Sequence, residues 1–115
     1  SSAASDVYKR QDLSSSKLRP ALLLADAGNQ DWVCAQITSR HYADKRAVLL
    51  ETIDFVEGSL EIQSFIRPAK LFTASESLFQ KQIGRISKAK LKETTQILVA
   101  LLNPEVARSL LSPSC

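Results

Sequence analysis

The chain has 115 residues, of which 44% are apolar and 23% are charged, and its formal net charge is +3. This length fits a single domain, and the composition is that of an average globular protein. The longest apolar run, 97–102, is too short to cross a bilayer, so we expect no membrane partner. No apolar signal segment precedes the first charged residues, which favours the cytoplasm. The small positive excess permits a polyanionic partner without requiring one.

Metal and disulfide chemistry are disfavoured because few residues could support them. Cys34 lies in an apolar stretch, Cys115 is the last residue, and His41 is the one histidine. Neither cysteine belongs to a pair with metal-ligand spacing, and two cysteines make no disulfide framework. We therefore expect no metal and no cofactor.

The first eleven residues, SSAASDVYKRQ, are polar and rich in serine and alanine, and they resemble the translation of a sequencing-library adapter. The chain also contains no methionine. We therefore expect residues 1–11 to be a non-native, disordered tail that takes no part in the fold. The domain is then expected at 12–103, followed by a tail at 104–115.

Short strands are predicted along the first three quarters of the chain. The run ALLLA is continuous and apolar, which indicates a strand buried on both faces, and WVCAQITS is rich in β-branched and aromatic residues. Pro68 interrupts a later strand, which implies an edge position or a bulge. The predicted strands span 21–25, 32–39, 47–50, 63–73 and 83–86.

Turns and a helix complete the pattern. A turn is expected at 54–59, around Gly58, and a short helical turn within 75–82. Ser87 is a plausible N-cap for a helix that runs to about Asn103 and ends before Pro104, and residues 106–111 allow one more helical turn. The apolar stripe of the helix that Ser87 caps consists of Leu91, Leu98, Leu101 and Leu102. Strands followed by a helix predict a mainly β fold, a small barrel or curled sheet with a helix packed on it.

Four segments in this order resemble the MazF/PemK family of toxins: KLRPALLL at 17–24, AQITS at 35–39, GSLEIQSFIRP at 58–68, and KLFT to IGRIS within 70–87. The resemblance implies an SH3-like barrel with a C-terminal helix. Members usually begin with a strand directly before the segment that matches residues 12–16, so we expect this chain to lack its first strand. A barrel without one strand has two unpaired edges, and we expect low stability.

The resemblance also implies a metal-free endoribonuclease, in which the 2′-hydroxyl of RNA attacks the neighbouring phosphorus. Arg19 matches the arginine of the family's R-P motif and would stabilise charge on the phosphoryl oxygens. Thr38 matches the threonine of the I-T-S motif, and Arg67 matches a second arginine. Arg19, Thr38 and Arg67 are thus the predicted catalytic residues. Without the resemblance, the residues alone favour a solvated arginine at a strand entrance for Arg19. Thr38 is as readily a β-favouring residue near a strand end.

A wider group of residues is expected to bind single-stranded RNA: Lys17, Ser39, Arg40, His41, Ser64 and Lys70. His41 is a candidate acid or base, since an unperturbed imidazole titrates near neutrality, although ordinary surface placement is the alternative. One departure from the family stands out. Several members have an aspartate two residues after the second arginine, and this chain has Ala69 there. The proton-transfer role of that aspartate is vacant.

The resemblance implies a homodimer restrained by a cognate antitoxin protein that competes with RNA for one groove. Two rival hypotheses remain. Ala69 favours a non-catalytic relative that binds nucleic acid or protein. A gyrase-inhibiting toxin is the third possibility, because a related toxin family shares the barrel, although the R-P and I-T-S motifs are typical of the RNA-cutting branch.

Overall fold

A computed structural model describes residues 5–12, 17–40 and 46–105. These residues form seven strands, two short 3-10 turns at Thr52–Asp54 and Glu76–Leu78, and one α-helix. The strands are β1 (Asp6–Asp12), β2 (Lys17–Gly28), β3 (Asp31–Thr38), β4 (Val48–Leu50), β5 (Phe55–Gly58), β6 (Ser64–Ser75) and β7 (Phe79–Ile86), and the helix is α1 (Lys88–Leu102).

The strands form one sheet in the order β4-β6-β3-β2-β1-β7-β5, and every neighbouring pair is antiparallel. The edge strands β4 and β5 are at opposite ends of this order. Even so, Val48 and Leu50 of β4 and Phe55 of β5 pack into one apolar cluster. The sheet must therefore curl round that cluster, which makes the fold a half-barrel. The predicted mainly β architecture with a C-terminal helix is confirmed.

Apolar side chains are buried on both faces of the central strands. The cluster inside the curl includes Leu22, Ile37 and Ile66, and α1 packs Leu91 and Ile97 against it. A second cluster on the other face of the sheet contains Ala21, Leu23, Trp32, Cys34 and Ala74. Because consecutive strand residues point to opposite faces, the run at 21–23 contributes to both clusters. The predicted burial of this strand on both faces is thus confirmed for these three residues.

The interruption at Pro68 is a bulge. The β3–β6 register passes from Ala35↔Leu71 directly to Gln36↔Arg67, so residues 68–70 have no partners on β3. Pro68 is fully buried at this point. A residue without an N–H is tolerated here because the ladder of hydrogen bonds is already broken.

The expectation that residues 1–11 lie outside the fold is wrong for the part that the structure describes. β1 pairs with β2 on one side and β7 on the other, so it occupies the place of the strand that was thought to be missing. Val7 is fully buried inside the curl, and the Tyr8 ring stacks on Phe79 with their centroids 5.3 Å apart. Val7 belongs to the inner cluster and Tyr8 packs against the cluster on the other face. One apolar residue on each face is too short a signal for periodicity to detect. With β1 paired on both sides, the missing strand that was expected to lower the stability is not missing.

Other boundaries differ in smaller ways. The segment expected to be a turn at 54–59 contains the edge strand β5, and β7 begins at Phe79 rather than at residue 83. The predicted helical turn within 75–82 is confirmed for Glu76–Leu78. The helix is confirmed with its cap, since Ser87 Oγ accepts a hydrogen bond of 3.2 Å from the Lys90 N–H. Leu102 does not belong to the buried stripe, because it is 71% exposed. The possible helical turn at 106–111 lies outside the described residues.

Candidate functional site

A groove of about 430 Å³ opens where β2 begins and β3 ends. Its apolar floor continues into the inner cluster through Ile37, Leu60 and Ile83. Polar and charged side chains line its walls, and four of the lining residues are cationic: Lys9, Arg19, Arg40 and Lys81. Such a surface attracts a polyanion, and the apolar floor can contact a base or sugar.

Antiparallel pairing brings two of the predicted catalytic residues together. Ala21 of β2 pairs with Gln36 of β3, and one further pleat along each strand leads to Arg19 and Thr38 on the same face. Both line the groove. Arg19 is exposed and Thr38 is half-buried. Thr38 Oγ1 accepts a hydrogen bond of 3.2 Å from the Arg40 N–H. This bond shapes the bend in which Ser39 and Arg40, two predicted RNA-binding residues, join the groove wall.

Arg67 does not line the groove. It pairs with Gln36 in the β3–β6 ladder, and Arg67 Nη1 donates a hydrogen bond of 3.2 Å to Gln36 Oε1. Thr38 lies two residues further along β3 on the same face, and it pairs with Phe65 at the end of the β3–β6 ladder. Arg67 therefore lies two residues further from that end than the Thr38–Phe65 pair. The expected convergence of Arg19, Thr38 and Arg67 is therefore met by the first two residues only.

Ser64 lines the groove, but its hydroxyl has a structural partner. The residue is 4% exposed, and Ser64 Oγ donates a hydrogen bond of 2.9 Å to the Ile62 carbonyl. The hydroxyl that was expected to bind RNA instead fixes the end of the loop between β5 and β6. That loop forms one wall of the groove.

The remaining predicted residues lie elsewhere. Lys17 begins β2, and Lys70 is exposed in the β6 bulge, and neither lines the groove. His41 lies outside the described residues. Ala69, at the position of the family's aspartate, is also in the bulge and away from the groove. The charged residues that line the groove and were not predicted are Lys9, Glu61 and Lys81.

Each of these three residues was missed for an identifiable reason. Lys9 falls in the segment that was set aside as a tail. Lys81 falls in the first half of β7, where residues 80–82 are all polar and give no strand pattern. Glu61 has no local signal, since only the folding of its loop against β7 brings it to the groove.

Cys34 has no part in this groove. Burial raises the pKa of its thiol to about 12, and the Arg10 guanidinium opposes part of that rise. The thiol therefore stays protonated at neutral pH and is a poor nucleophile. Among the residues that the structure describes, no three His, Cys, Asp or Glu side chains are placed to hold a metal ion. Within the same residues, no helix is both long and apolar enough to span a membrane.

These features define a class: a small β half-barrel with a C-terminal helix and a cationic groove at the strand ends. A model of the family described as "PemK-like, MazF-like toxin of type II toxin-antitoxin system" matches residues 6–102. The chain belongs to this family. The match includes β1 and ends with the last residue of α1, so it covers the whole half-barrel.

Solved structures have the same fold. An endoribonuclease from a mycobacterial species, in complex with its cognate antitoxin, is similar with a TM-score of 0.70 at 15% identity, over 98% of this chain and 100% of that one. The toxin MazF-mt6 of Mycobacterium tuberculosis gives 0.69 at 16%, over 85% and 96%. A MazE–MazF structure from Deinococcus radiodurans gives 0.70 at 18%, over 89% and 95%. At these identities the likeness establishes the fold. No curated protein sequence matches the chain.

Proposed function

We propose that this protein is the toxin of a toxin–antitoxin pair and that it acts as an endoribonuclease on single-stranded RNA. The observation that carries the proposal is the shared groove of Arg19 and Thr38, which has further cations on its walls. Family membership supports the toxin role, and the mycobacterial relative is named an endoribonuclease. RNA cleavage of this kind would take place in the cytoplasm, where transcripts are exposed.

The proposed chemistry needs no metal ion. The 2′-oxygen of a ribose attacks the adjacent phosphorus, and the bond to the 5′-oxygen of the next nucleotide breaks. Arg19 neutralises the negative charge that builds up on the phosphoryl oxygens in the transition state, which its planar guanidinium suits. The Thr38 hydroxyl holds the same phosphate in line for attack. Ser39 and Arg40 contact the neighbouring phosphates.

Selectivity for particular RNA sequences is part of this proposal. Gln82 lines the groove and carries both a hydrogen-bond donor and an acceptor, as reading a base edge requires. The apolar side chains of Leu18 and Ile62 are 51% and 64% exposed at the groove, where they would contact unstacked bases. The recognised bases would be those that can both hydrogen-bond to Gln82 and pack against Leu18 and Ile62.

We also infer a cognate antitoxin and a homodimer. The mycobacterial structure contains an antitoxin, and a cationic groove would accept an acidic segment of such a partner in place of RNA. An apolar surface for a second copy is available at the β5 edge, where Ile53 and Val56 are 86% and 61% exposed. Exposed apolar residues on and beside an unpaired sheet edge favour association.

The test is the cleavage of a long, unstructured transcript by purified full-length protein, with Arg19→Ala as the inactive variant. We expect the variant to lose roughly 100-fold or more in rate, because one charge-stabilising donor is removed. The matched control is Lys92→Ala, which removes an exposed cation from α1, away from the groove. Cleavage that requires a divalent metal, or equal rates for wild type and Arg19→Ala, contradicts the proposal.

A second candidate function is favoured by Ala69. A family member without the usual aspartate would bind RNA through the same groove and leave it intact. Expression in a bacterial host separates the hypotheses. Growth arrest with cut transcripts supports the nuclease, and bound but intact RNA supports the non-catalytic relative. Arrest with trapped gyrase complexes indicates the gyrase-inhibiting alternative.

A further inference from the structure

Glu61 is the one carboxylate among the described residues that line the groove. It lies on the loop between β5 and β6, and this loop lines the same groove as Arg19 of β2 and Thr38 of β3. The loop also borders a second hollow of about 140 Å³, and Glu61 lines both hollows. A negative charge weakens the attraction of a cationic groove for RNA. A carboxylate in the groove wall therefore suggests a role in the reaction.

The loop that carries Glu61 is held at both ends. At its start, Gly58 has a φ of +67° and pairs with Gly84 of β7. A Cβ at Gly58 would come within 2.1 Å of the Ile83 carbonyl oxygen, so only glycine allows this close approach. At its end, Ser64 Oγ is bonded to the Ile62 carbonyl. The short segment between these two anchors gives Glu61 a defined position in the wall.

Among the described groove residues considered so far, none accepts the 2′-hydroxyl proton, and His41, the candidate from the sequence, lies outside the described residues. Arginine stays protonated, and a threonine hydroxyl is a weak base. Ala69 has no ionisable group and lies away from the groove. A carboxylate in the groove wall supplies the missing group.

Resting on the proposed nuclease function, we propose that Glu61 is the general base of the cleavage step. The 2′-hydroxyl proton passes to the Glu61 carboxylate as the 2′-oxygen bonds to phosphorus. The bond from phosphorus to the 5′-oxygen breaks, and this oxygen takes a proton from water in the open groove. The resulting hydroxide removes the proton from Glu61. The products are a 2′,3′-cyclic phosphate and a 5′-hydroxyl, and the base is regenerated. Ser64 is a positioning residue, since it acts through the loop.

The test compares wild type with Glu61→Gln under single-turnover conditions with saturating transcript, after the cut sites have been mapped. We expect the rate to fall by about 100-fold or more, which is the usual contribution of a general base. Binding is measured separately with a DNA oligonucleotide of the mapped sequence, which has no 2′-hydroxyl and is not cut. Affinity for this probe should stay within about threefold of wild type or rise, because a negative charge has been removed.

The pH profile provides an independent readout. A carboxylate base loses activity when acid protonates it, so the wild-type rate should fall on the acid side and the residual Glu61→Gln rate should not. The charged groups that share the groove with Glu61 are cations from β1, β2, β7 and the bend after β3: Lys9, Arg19, Lys81 and Arg40. Because Glu61 is the one carboxylate among the described lining residues, loss of the acid limb in Glu61→Gln would assign that limb to Glu61.

Control variants separate chemistry from loop structure. Glu57→Gln removes an exposed carboxylate from β5, outside the groove, and should cleave at the wild-type rate. Ser64→Ala should lower the rate several-fold while it keeps the acid limb, because the base is present but less well placed. Glu61→Asp should retain part of the activity and the acid limb.

Two results overturn the inference: a Glu61→Gln rate within about threefold of wild type, or a loss that lies entirely in affinity for the DNA probe. Either result leaves the nuclease proposal standing as long as wild type cuts RNA and Arg19→Ala does not. The nuclease proposal itself fails when wild type cuts no RNA. The two failures are therefore distinguishable.

Discussion

Two regions of the half-barrel divide stability and chemistry between them: α1 with its contacts, called the helix end, and the residues that line the groove, called the groove end. At the helix end, α1 covers the inner cluster, Thr94 is fully buried, and the Lys90 side chain is only 14% exposed. At the groove end, Arg19, Arg40 and Glu61 are all exposed. The first region is packed and internally bonded, whereas the second presents charges to solvent.

This difference follows from what each region must do. Burial of apolar side chains provides most of the free energy of folding, and it requires covering the open side of the sheet. A site for a polyanion must leave its cations accessible, and exposed charges contribute little to stability. Substitutions at the helix end should therefore mainly change the free energy of unfolding. Substitutions at the groove end should mainly change the rate of RNA cleavage.

The largest expected effect on stability comes from removing β1, which belongs to both regions. Deleting residues 1–11 leaves β2 and β7 without their shared neighbour and takes Val7 out of the inner cluster. The loss should exceed the roughly 5–15 kcal/mol of a typical domain, so no cooperative thermal transition is expected by circular dichroism. Deleting residues 1–4 is the matched control, because it keeps β1 and should preserve the transition. A cooperative melt of the shorter chain at ordinary mesophile temperatures would contradict the role assigned to β1.

A smaller loss of stability is expected from Lys90→Ala at the helix end. Lys90 Nζ donates hydrogen bonds to the Leu49 carbonyl at 3.0 Å and to Glu93 Oε1 at 3.3 Å, and it lies 3.6 Å from Asp54 Oδ2. It thus ties α1 to β4 and to the turn before β5, the two edges of the curled sheet. Losing hydrogen bonds to a charged, largely buried group should lower the free energy of unfolding by about 1.5–3 kcal/mol.

Urea denaturation measures this change. Lys92→Ala, two residues along the same helix and exposed, should stay within roughly 0.5 kcal/mol of wild type. RNA cleavage at a temperature well below the transition should be the same for both variants. Equal unfolding midpoints for Lys90→Ala and Lys92→Ala would mean that the contacts of Lys90 contribute nothing measurable.

Individual elements of the fold could be predicted from sequence much better than the groove. Ser87 before an apolar period indicates a capped helix, and Pro68 within a β-rich run indicates a bulge, because both signals depend on a few neighbouring residues. The strand β3 was equally clear from its β-branched and aromatic residues. In each case local chemistry determines local structure.

The groove depends on contacts between distant parts of the chain. Arg19 and Thr38 were named through family likeness, and the β2–β3 register accounts for their meeting. Arg67 was expected with them, but pairing with Gln36 keeps it one pleat away, and no local pattern specifies that offset. Glu61 reaches the groove only because Gly58 packs against β7. Such positions follow from how the sheet curls, which is a property of the whole core.

The smallest effect on stability is expected for Thr38→Val in the groove. Valine keeps the branched shape and loses only the exposed hydrogen bond from the Arg40 N–H to Thr38 Oγ1, so the free energy of unfolding should change by less than about 1 kcal/mol. Cleavage should nevertheless fall by roughly tenfold or more, because the phosphate loses a positioning hydroxyl. Thr38→Ser restores that hydroxyl and should recover most of the rate. A contrary result would be that Thr38→Val unfolds at a much lower urea concentration and that its loss of cleavage follows the unfolded fraction. The hydroxyl would then stabilise the fold, and the division between stability and chemistry would not hold at Thr38.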